Sequence, residues 1–304
     1  MRRILVSLSA LLLTFYTSYA SDKVFPEIQA HRGGAGLYPE NTIDAMLNAI
    51  RLGITVLEMD VQFSKDGVAV VSHDAYFHYR YSTRPDGTAV EKNDKKHFLY
   101  RMNYDDIEKW DVGKRKSEAW PKKKCIPASK PKLEELLEKC ENAAKKKGFT
   151  LTYSVELKSR AGKYEGKLWP EYRIYVDRTV EIFSQKGLLD RVRLQSFDIR
   201  ALEYLHEKHP DVQTVYLVKT NKEDSMEEVL SRLSFTPTWF SAQYLDKQIV
   251  QKAHLKGMKV IPWGMNSPER FLEILDMGAD AMMTNYPNLA LKWKKAYLSG
   301  KKVK

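Results

Sequence analysis

Short apolar runs alternate along the chain with longer segments in which apolar residues recur every three or four positions. The short runs are rich in β-branched and aromatic residues, which is typical of strands, whereas the longer segments have the spacing of amphipathic helices. In residues 42–52, for example, one helical face carries apolar side chains, and Asn41 is placed to cap the amino end. This alternation predicts an α/β fold with a parallel sheet.

Eight of the predicted strands are separated by connections long enough for parallel crossovers, and they lie at 27–30, 55–61, 151–158, 191–195, 213–218, 239–243, 259–263 and 280–284. The predicted helices lie at 42–52, 132–147, 171–185, 199–209, 225–233, 246–255 and 268–277. A further strand, 68–71, follows 55–61 through a short link with Asp66-Gly67, so a hairpin and antiparallel pairing are predicted. Eight parallel strands are the number that a (β/α)8, or TIM, barrel requires. A doubly wound open sheet is the alternative, but no glycine-rich dinucleotide turn supports it.

Residues 75–132 interrupt the alternation. They contain several tyrosines and histidines, a Pro85-Asp86-Gly87 turn and a lysine-rich run. Structureless loops of this length are uncommon unless they are functional. The segment is therefore predicted to be an insertion, either a lid or a small subdomain, after the antiparallel hairpin strand.

The amino-terminal residues predict export. Two arginines precede an apolar run at 4–16, and Ser18 and Ala20 are small residues at the positions that a signal peptidase reads. A membrane anchor is the alternative, but the run is shorter than the ~20 residues of a spanning helix. We expect a signal peptide over 1–20 with cleavage after Ala20, and a periplasmic or secreted single domain over 21–304.

An exported protein can form disulfides, and this chain has two cysteines, Cys125 and Cys140. Cys140 continues an apolar helical stripe that includes Leu136 and Leu137, which favours a buried thiol. A disulfide and a core thiol therefore both stay open at this stage.

The chain is basic, with 50 Lys and Arg against 39 Asp and Glu among its 304 residues. Residues 113–147 hold 12 basic and 5 acidic side chains, and a predicted basic tail at 292–304 holds six lysines and no acid, so the remainder is mildly acidic. Such runs are most often solvated surface. No nucleic-acid-binding module accompanies them, so peripheral contact with an anionic envelope or membrane surface is the better prediction.

Carboxylates line one face of two predicted strands. Glu58 and Asp60 are two residues apart, and Glu156 shares a face with Lys158, whereas the intervening residues are apolar. The apolar side must pack on helices, which directs the charges into the barrel mouth. Crowded carboxylates repel one another unless a cation holds them, and oxygen donors without cysteine suit Ca²⁺ or Mg²⁺. For Glu58 and Asp60 alone, an exposed edge strand with solvated acids is the alternative.

His31 and His73 each end a predicted strand, and each is followed by a charged residue. Imidazole titrates near neutral pH, so these two form the candidate pair for proton transfer. Arg32 and Lys158 supply the positive charge that a phosphate group requires. The set indicates phosphoryl chemistry without a covalent serine or cysteine. The chain has no G-x-S-x-G, Walker or H-E-x-x-H motif, so esterase, NTPase and zincin functions lack support.

Six motifs strengthen this interpretation: HRGGAGLYPENT, LEMDVQFSKDGVAVVSHD, VELK, LQSF, IPWGMN and MMTNYP. Their order and spacing resemble those of the glycerophosphodiester phosphodiesterase family over essentially the whole mature chain. The resemblance implies a TIM barrel with a small insertion after the second histidine. It also implies hydrolysis of glycerophosphodiesters to glycerol 3-phosphate and an alcohol with a divalent metal; from the oxygen donors we expect Ca²⁺, with Mg²⁺ as the alternative. The segment IPASKPKLEEL is longer than the usual family sequence, and this departure concerns the insertion.

Residue by residue, the resemblance implies a divalent metal on Glu58, Asp60 and Glu156, catalysis by His31 and His73, and phosphate binding by Arg32 and Lys158. The Glu40-Asn41 pair matches site-lining residues. Three further positions match residues on the substrate side, namely Gln195, Phe197 and Trp263. For these three, a strand-end glutamine, a core phenylalanine and ordinary barrel packing are the alternatives.

Two functional alternatives and two mechanistic questions stay open from the sequence. A lysophospholipase D or sphingomyelinase D-like enzyme would share the barrel and the two histidines, although Glu156 favours the glycerophosphodiesterase. A non-catalytic surface binding protein would be expected to have lost part of the site. The attacking group is either the glycerol 2-hydroxyl of the substrate or water, and either histidine can be the acid.

Overall fold

The computed structural model describes residues 25–94, 96–219 and 226–304, so the predicted signal peptide lies outside the described residues. The strands are β1 (Glu27–Ala30), β2 (Val56–Phe63), β3 (Ala69–Val71), β4 (Thr152–Leu157), β5 (Val192–Ser196), β6 (Gln213–Val218), β7 (Trp239–Ala242), β8 (Lys259–Pro262) and β9 (Ala281–Thr284). The helices are α1 (Ile43–Leu52), α2 (Tyr104–Ile107), α3 (Leu133–Lys147), α4 (Tyr172–Gln185), α5 (Ile199–Lys208), α6 (Met226–Leu230), α7 (Lys247–Leu255), α8 (Pro268–Met277) and α9 (Pro287–Leu298).

Eight of these strands run parallel in the order β8-β7-β6-β5-β4-β2-β1-β9. The two end strands meet through Asp280, whose N–H donates to the Val260 carbonyl at 3.1 Å and whose carboxylate accepts from the Val260 N–H at 2.7 Å. β3 pairs with β2 and is antiparallel to it, with Val61 opposite Val71. The predicted TIM barrel is confirmed, and the alternative of an open sheet is wrong.

The two faces of β2 and β4 differ as the alternation predicts. Leu57 and Met59 lie in the buried layer between barrel and helices. Asp60 is directly opposite Glu156 on β4, and Glu156 is opposite Gln195 on β5. Because side chains on paired positions of neighbouring strands share a face, these polar groups meet inside the barrel.

The other end of the barrel is filled. Arg193 on β5 makes two hydrogen bonds with Glu27 on β1, at 2.7 and 3.0 Å, and its guanidinium lies 4.2 Å from the ring centroid of Trp239 on β7. Above this layer, Val215, Ile261 and further apolar side chains pack against one another in the interior. The functional opening is therefore at the carboxyl ends of the strands.

The amino end of α1 differs from the sequence prediction. Thr42 is the N-cap, because its hydroxyl accepts the Ala45 N–H at 3.3 Å, and the helix begins at Ile43. Asn41 does not cap the helix; it adopts a left-handed backbone with φ 58° and bonds Asp60 instead. The competing partner in the barrel mouth explains why the capping prediction for Asn41 is wrong.

Residues 75–132 contain a one-turn 3₁₀ segment (Leu99–Arg101) and the short helix α2. They bury a cluster of their own, in which the rings of Phe77 and Trp110 stack 4.2 Å apart. Val70 of β3 belongs to the same cluster. The insertion thus packs as a small subdomain on the hairpin strand.

The last helix, α9, is absent from the sequence prediction. It begins with Pro287 and contains the first seven residues of the segment predicted as a basic tail, 292–298. Its lysines obscure the periodicity, but Ala290 and Trp293 are buried against the barrel. None of the helices in the three described ranges is long and apolar enough to cross a membrane.

The two cysteines are not bonded. Cys140 is buried in the apolar stripe of α3, as the helical spacing predicts, and Cys125 is exposed in the insertion. Burial raises the pKa of the Cys140 thiol to about 12, so this group is an inert part of the core.

Candidate active site

Three carboxylates meet at the carboxyl ends of β2 and β4. Glu58, Asp60 and Glu156 each place a carboxylate oxygen within 4.8 Å of the others, and all three side chains are buried. Glu58 and Asp60 are each only 1% exposed, which excludes the edge-strand alternative. Burial, and then the charge of Asp60, raises the pKa of Glu58 well above its usual value, and burial likewise raises that of Glu156. Although burial opposes ionisation, Arg32 and Lys158 lower the pKa of Asp60, so Asp60 is the carboxylate of the cluster that these two cations hold ionised.

The donor set fits a divalent metal ion. Asp60 Oδ1 is buried and accepts no hydrogen bond from the described residues; its charged neighbour is Lys158 Nζ at 3.6 Å. Three carboxylate oxygen donors are the ligands that hard cations prefer. A cation bound to Glu58, Asp60 and Glu156 would remove the repulsion between them.

Basic and amide groups surround the carboxylates. The backbone N–H of Arg32 donates to Glu58 Oε2 at 2.8 Å, and the guanidinium Nε of Arg32 lies 3.4 Å from Asp60 Oδ2. Lys158 Nζ donates to Glu156 Oε1 at 2.6 Å. Although burial opposes the charged form, these carboxylates raise the pKa of Lys158, so it is held as a cation. Both basic residues lie where the sequence predicts them, beside the acidic cluster.

Two amides complete the polar shell. Asn41 Nδ2 donates to Asp60 Oδ2 at 2.8 Å, and the Asp60 N–H donates back to Asn41 Oδ1 at 3.2 Å. Gln195 Nε2 donates to Glu58 Oε1 at 2.8 Å. Each amide therefore orients one carboxylate of the cluster, and the predicted substrate-side residue Gln195 contacts Glu58 directly.

A tight turn after β1 aims His31 and Arg32 at the cluster. Arg32 adopts a left-handed backbone with φ 51°, and Gly33 follows with φ 77°. A Cβ on Gly33 would lie 2.8 Å from the Ala45 Cβ and 2.9 Å from backbone atoms of α1. The glycine is required because the turn packs directly on the first helix.

We expect Gly33→Ala to lower the free energy of unfolding by about 2 to 3 kcal/mol, from backbone strain plus overlap with α1. Gly53→Ala is the matched control, since Gly53 has φ 96° and a Cβ added there would meet nothing within 4 Å. It is expected to cost only the strain of about 1 kcal/mol. Urea denaturation of both variants measures the difference, and equal losses would contradict the packing argument.

His31 is fixed by Asn285, which follows the neighbouring strand β9. Its Nδ1 lies 2.7 Å from Asn285 Oδ1, and its Nε2 lies 3.9 Å from Glu58 Oε2. Because an amide oxygen only accepts, Nδ1 carries the proton and Nε2 faces the cluster with its lone pair. Burial, and to a smaller extent the Arg32 charge, lowers the pKa of His31 to about 4.

His73 has a different partner. Its Nδ1 lies 2.9 Å from Asp74 Oδ1, and the other oxygen of Asp74 accepts a hydrogen bond from the Tyr81 hydroxyl at 2.9 Å. Although burial favours the neutral acid, the hydrogen bond with His73 lowers the pKa of Asp74. His73 is thus held by a carboxylate, whereas His31 is held by a neutral amide.

A small cavity beside His73 is lined by groups from the barrel and the insertion. Lys130 is 4% exposed there, and its ammonium donates to the Ser72 hydroxyl at 2.6 Å. Ser72 in turn donates to the Asp74 carbonyl at 2.7 Å. The insertion therefore supports the loop that carries His73 and Asp74.

The two remaining predicted residues lie further from the carboxylates. Phe197 follows β5 and is 40% exposed, with Lys219 Nζ 5.8 Å from its ring centroid, so the core alternative for Phe197 is wrong. Trp263 follows β8 and packs on the interior apolar cluster, and its buried indole N–H finds no acceptor in the described part of the chain. Glu40 accepts a hydrogen bond from Arg32 at 2.9 Å and so belongs to the site.

The sequence pattern assigns no role to three residues that the structure places in the site, namely Asn285, Tyr81 and Lys130. Asn285 directly follows β9, so the rule that selects polar residues at carboxyl strand ends would have found it. Tyr81 and Lys130 belong to the insertion, and no periodicity in that segment indicates which side chains turn inward.

Comparison with known proteins agrees with this geometry. A sequence model of the glycerophosphoryl diester phosphodiesterase family matches residues 31–289. The chain belongs to this family. Its prediction as an enzyme of this family is therefore confirmed.

Relatives in the family match nearly the whole chain. A glycerophosphodiester phosphodiesterase of Bacillus subtilis (strain 168) is 28% identical over 274 residues, covering 88% of this chain and 86% of its own. A lysophospholipase D of Homo sapiens is 27% identical over 278 residues, covering 85% of this chain and 82% of its own.

A solved structure has the same fold. The putative glycerophosphoryl diester phosphodiesterase of Silicibacter pomeroyi DSS-3 superposes with a TM-score of 0.79 at 22% identity, over 92% of this chain and 95% of its own. A phosphodiesterase of Oleispira antarctica, solved in complex with the product sn-glycerol-3-phosphate, has a TM-score of 0.68 at 24% identity, over 88% and 96% of the two chains. At these identities the structures support the barrel assignment.

Proposed function

We propose that this protein hydrolyses glycerophosphodiesters to glycerol 3-phosphate and an alcohol. The observation that carries the proposal is that both candidate histidines border one buried carboxylate cluster. His31 Nε2 faces Glu58 at 3.9 Å, and His73 lines a small cavity together with Asn41, whose side chain bonds Asp60. Two proton-transfer groups around a cation site are the equipment for phosphodiester cleavage without a covalent serine or cysteine. The relatives named above support the substrate class.

Glu58, Asp60 and Glu156 are the proposed ligands of the metal, with Ca²⁺ as the first candidate and Mg²⁺ as the alternative. When bound, the ion supplies Lewis-acid stabilisation of the charge that develops on the phosphate oxygens. Arg32 and Lys158 border the same cluster and are proposed to bind phosphate oxygens. Gln195, Phe197 and Trp263 are proposed to lie on the substrate side of the site.

The partners of the two histidines suggest a division of labour. The Asp74 carboxylate stabilises positive charge on His73 better than the Asn285 amide does on His31. We therefore assign His31 as the group that takes the proton from the attacking water as its oxygen bonds to phosphorus; if the glycerol 2-hydroxyl attacks instead, water then opens the cyclic phosphate. His73 gives a proton to the leaving alkoxide, so that the P–O bond to the alcohol breaks without releasing a strong base.

Asp74→Asn is expected to lower kcat about 10- to 100-fold with little change in KM, because the amide keeps the shape but not the charge beside His73. Tyr81→Phe is the graded control, since it removes only the hydrogen bond to the far oxygen of Asp74. Steady-state kinetics on one glycerophosphodiester tests both variants. An Asp74→Asn enzyme with unchanged kcat would contradict the proposed role of the carboxylate.

Lysophospholipase D activity is the second candidate. It is favoured by the match to the human lysophospholipase D and to one of Mus musculus, which is 24% identical over 287 residues. Both reactions cleave the same bond of a glycerophosphoryl group, and they differ in whether an acyl chain remains on the glycerol. Parallel assays on glycerophosphocholine and lysophosphatidylcholine separate them.

The experiment that tests the proposal is a panel of glycerophosphodiesters offered to the purified protein. Glycerol 3-phosphate is measured before EDTA, after EDTA, and after Ca²⁺ or Mg²⁺ is restored. We expect product that disappears with EDTA and returns with one of the two ions. No glycerol 3-phosphate from any member of the panel would refute the assignment and leave a binding protein as the better interpretation.

We also propose that the protein is exported and acts outside the cytoplasm after cleavage behind Ala20. The support is the basic start and the apolar run at residues 4–16. Mass spectrometry of the protein recovered from the periplasm or medium tests this, and an amino terminus at Ser21 is the expected result.

A further inference from the structure

A basic face lies at the end of the barrel opposite the active site. The helices α1, α3 and α9 all end there, because each begins on the side of the mouth and runs back along the outside of the barrel. Their last turns and the residues just after α9 expose seven basic side chains. These define the basic face: Arg51, Lys145, Lys146, Lys147, Lys295, Lys301 and Lys302.

The three helices form one surface, since α1 packs against both α3 and α9. Lys147 Nζ at the end of α3 donates to the Arg51 carbonyl at the end of α1, at 3.3 Å. After α9 the chain turns back, with the Lys301 N–H donating to the Ala296 carbonyl at 2.9 Å. Residues 143–149 and 287–304 contain no acidic residue, so no side chain within these segments offsets the charge.

Exposed apolar side chains adjoin the lysines. Tyr297 and Leu298, in the last turn of α9, are 47% and 64% exposed. The chain also enters the barrel here, since the ring of Phe25 contacts Tyr297 and lies 4.5 Å from Lys294 Nζ. Lysines beside an exposed tyrosine and leucine are the composition of peripheral membrane contacts, where ammonium groups meet anionic head groups and apolar groups enter the interface.

The position of this face sets its orientation relative to the active site. α9 begins at the mouth, where Pro287 packs beside Gly34, and its 12 residues place its end about 18 Å further down the barrel. We infer that the basic face docks on an anionic lipid bilayer, with the active site directed away from the membrane. This inference rests on the proposed function. In this orientation the substrates are water-soluble glycerophosphodiesters, because lipids embedded in the docked bilayer cannot reach the active site.

The insertion offers the competing surface. Lys114, Lys116 and Lys122 are exposed on the loop that covers part of the mouth, where Trp120 packs on Tyr286. Docking through this loop would bring the active site onto the bilayer and would favour membrane-embedded lysolipids. The two sets of lysines therefore predict opposite orientations.

Two variants of equal net charge distinguish these orientations. One carries Lys145→Gln, Lys301→Gln and Lys302→Gln, and the other carries Lys114→Gln, Lys116→Gln and Lys122→Gln. Each is made in the chain that begins at Ser21, which includes every residue that the structure describes. Co-sedimentation with phosphatidylglycerol vesicles, and with phosphatidylcholine vesicles as the neutral reference, gives the partition constants.

We expect the unmodified chain to prefer anionic vesicles, with binding that weakens as NaCl is raised. The basic-face variant should lose roughly 100-fold in affinity, whereas the insertion variant should stay within a factor of about three. Loss in the insertion variant instead would overturn the inference, as would binding to soluble polyphosphate without binding to vesicles. An equal loss of vesicle affinity in both variants would mean that binding is unspecific charge attraction, and it would overturn the proposed orientation.

Turnover of glycerophosphocholine by vesicle-bound enzyme supplies an independent readout. It should match turnover in free solution within a factor of about two, because the mouth faces water in both cases. Strong inhibition on vesicles would overturn the orientation. Absence of turnover without vesicles would refute the proposed function and leave the vesicle-binding result intact.

Discussion

Replacing either His31 or His73 with alanine is expected to lower kcat for glycerophosphodiester hydrolysis by about 10²- to 10⁴-fold. His31 lies 3.9 Å from Glu58, and His73 shares a small cavity with Asn41, which bonds Asp60. Steady-state and single-turnover kinetics at saturating metal measure the loss. The double variant should be little worse than the single ones, because the two groups act on one bond-breaking event.

The matched control is His209→Ala. His209 lies at the end of α5, and its Nε2 is 3.9 Å from Asp177 Oδ1 on the barrel exterior. It should retain normal kcat, and all variants should keep the thermal midpoint within a few degrees. Near-normal turnover in either active-site variant would remove that histidine from the proposed mechanism.

Asp60→Asn is expected to lower kcat at least ~10³-fold and to abolish the stabilisation of the protein by added Ca²⁺ or Mg²⁺. The substitution removes the charge of the Asp60 carboxylate, whose Oδ1 accepts no hydrogen bond from the described residues. An amide at this position can still accept the hydrogen bond from Asn41. A metal present at about 100 times its Kd stabilises the unmodified protein by about 2.7 kcal/mol. At about 2 to 4 °C for each kcal/mol in a domain of this size, thermal unfolding should shift upwards by about 5 to 10 °C.

Asp106→Asn serves as the control for this prediction. Asp106 is an exposed acid of the insertion, paired with Lys109 at 2.8 Å. Its variant should show the full metal-dependent shift of the melting temperature. A metal-induced shift that survives in Asp60→Asn would mean that the ion binds elsewhere in the protein.

Most of the barrel can be predicted from the sequence because its strands and helices bury one face each. The alternation around Leu57 and Met59 marks the outer side of β2, and the same alternation directs Glu58 and Asp60 inwards. The predicted hairpin at Asp66-Gly67 is confirmed as well, since two short strands on either side of a tight link can only pair antiparallel. α9 is missed because its lysines mask a narrow apolar stripe.

The individual site residues are less predictable than the elements that carry them. Asn41 has the local signature of a helix cap, yet its side chain bonds Asp60 because the turn at Arg32 and Gly33 brings it into the mouth. Gln195 has the pattern of an ordinary strand end, and only the register of β4 and β5 brings it against Glu58. These contacts join residues far apart in the chain, so no local pattern contains them.

The sequence alone determines the strand order along the chain, the inward face of each strand and the chemical types of the groups at the carboxyl ends. These properties follow from periodicity and from residue chemistry, which act over a few neighbouring positions. The tertiary structure decides which partner holds each histidine, with Asn285 on His31 and Asp74 on His73. It also decides where the lysines lie. The ends of α1, α3 and α9 adjoin because β1 pairs with both β2 and β9, and this places one basic surface opposite the mouth.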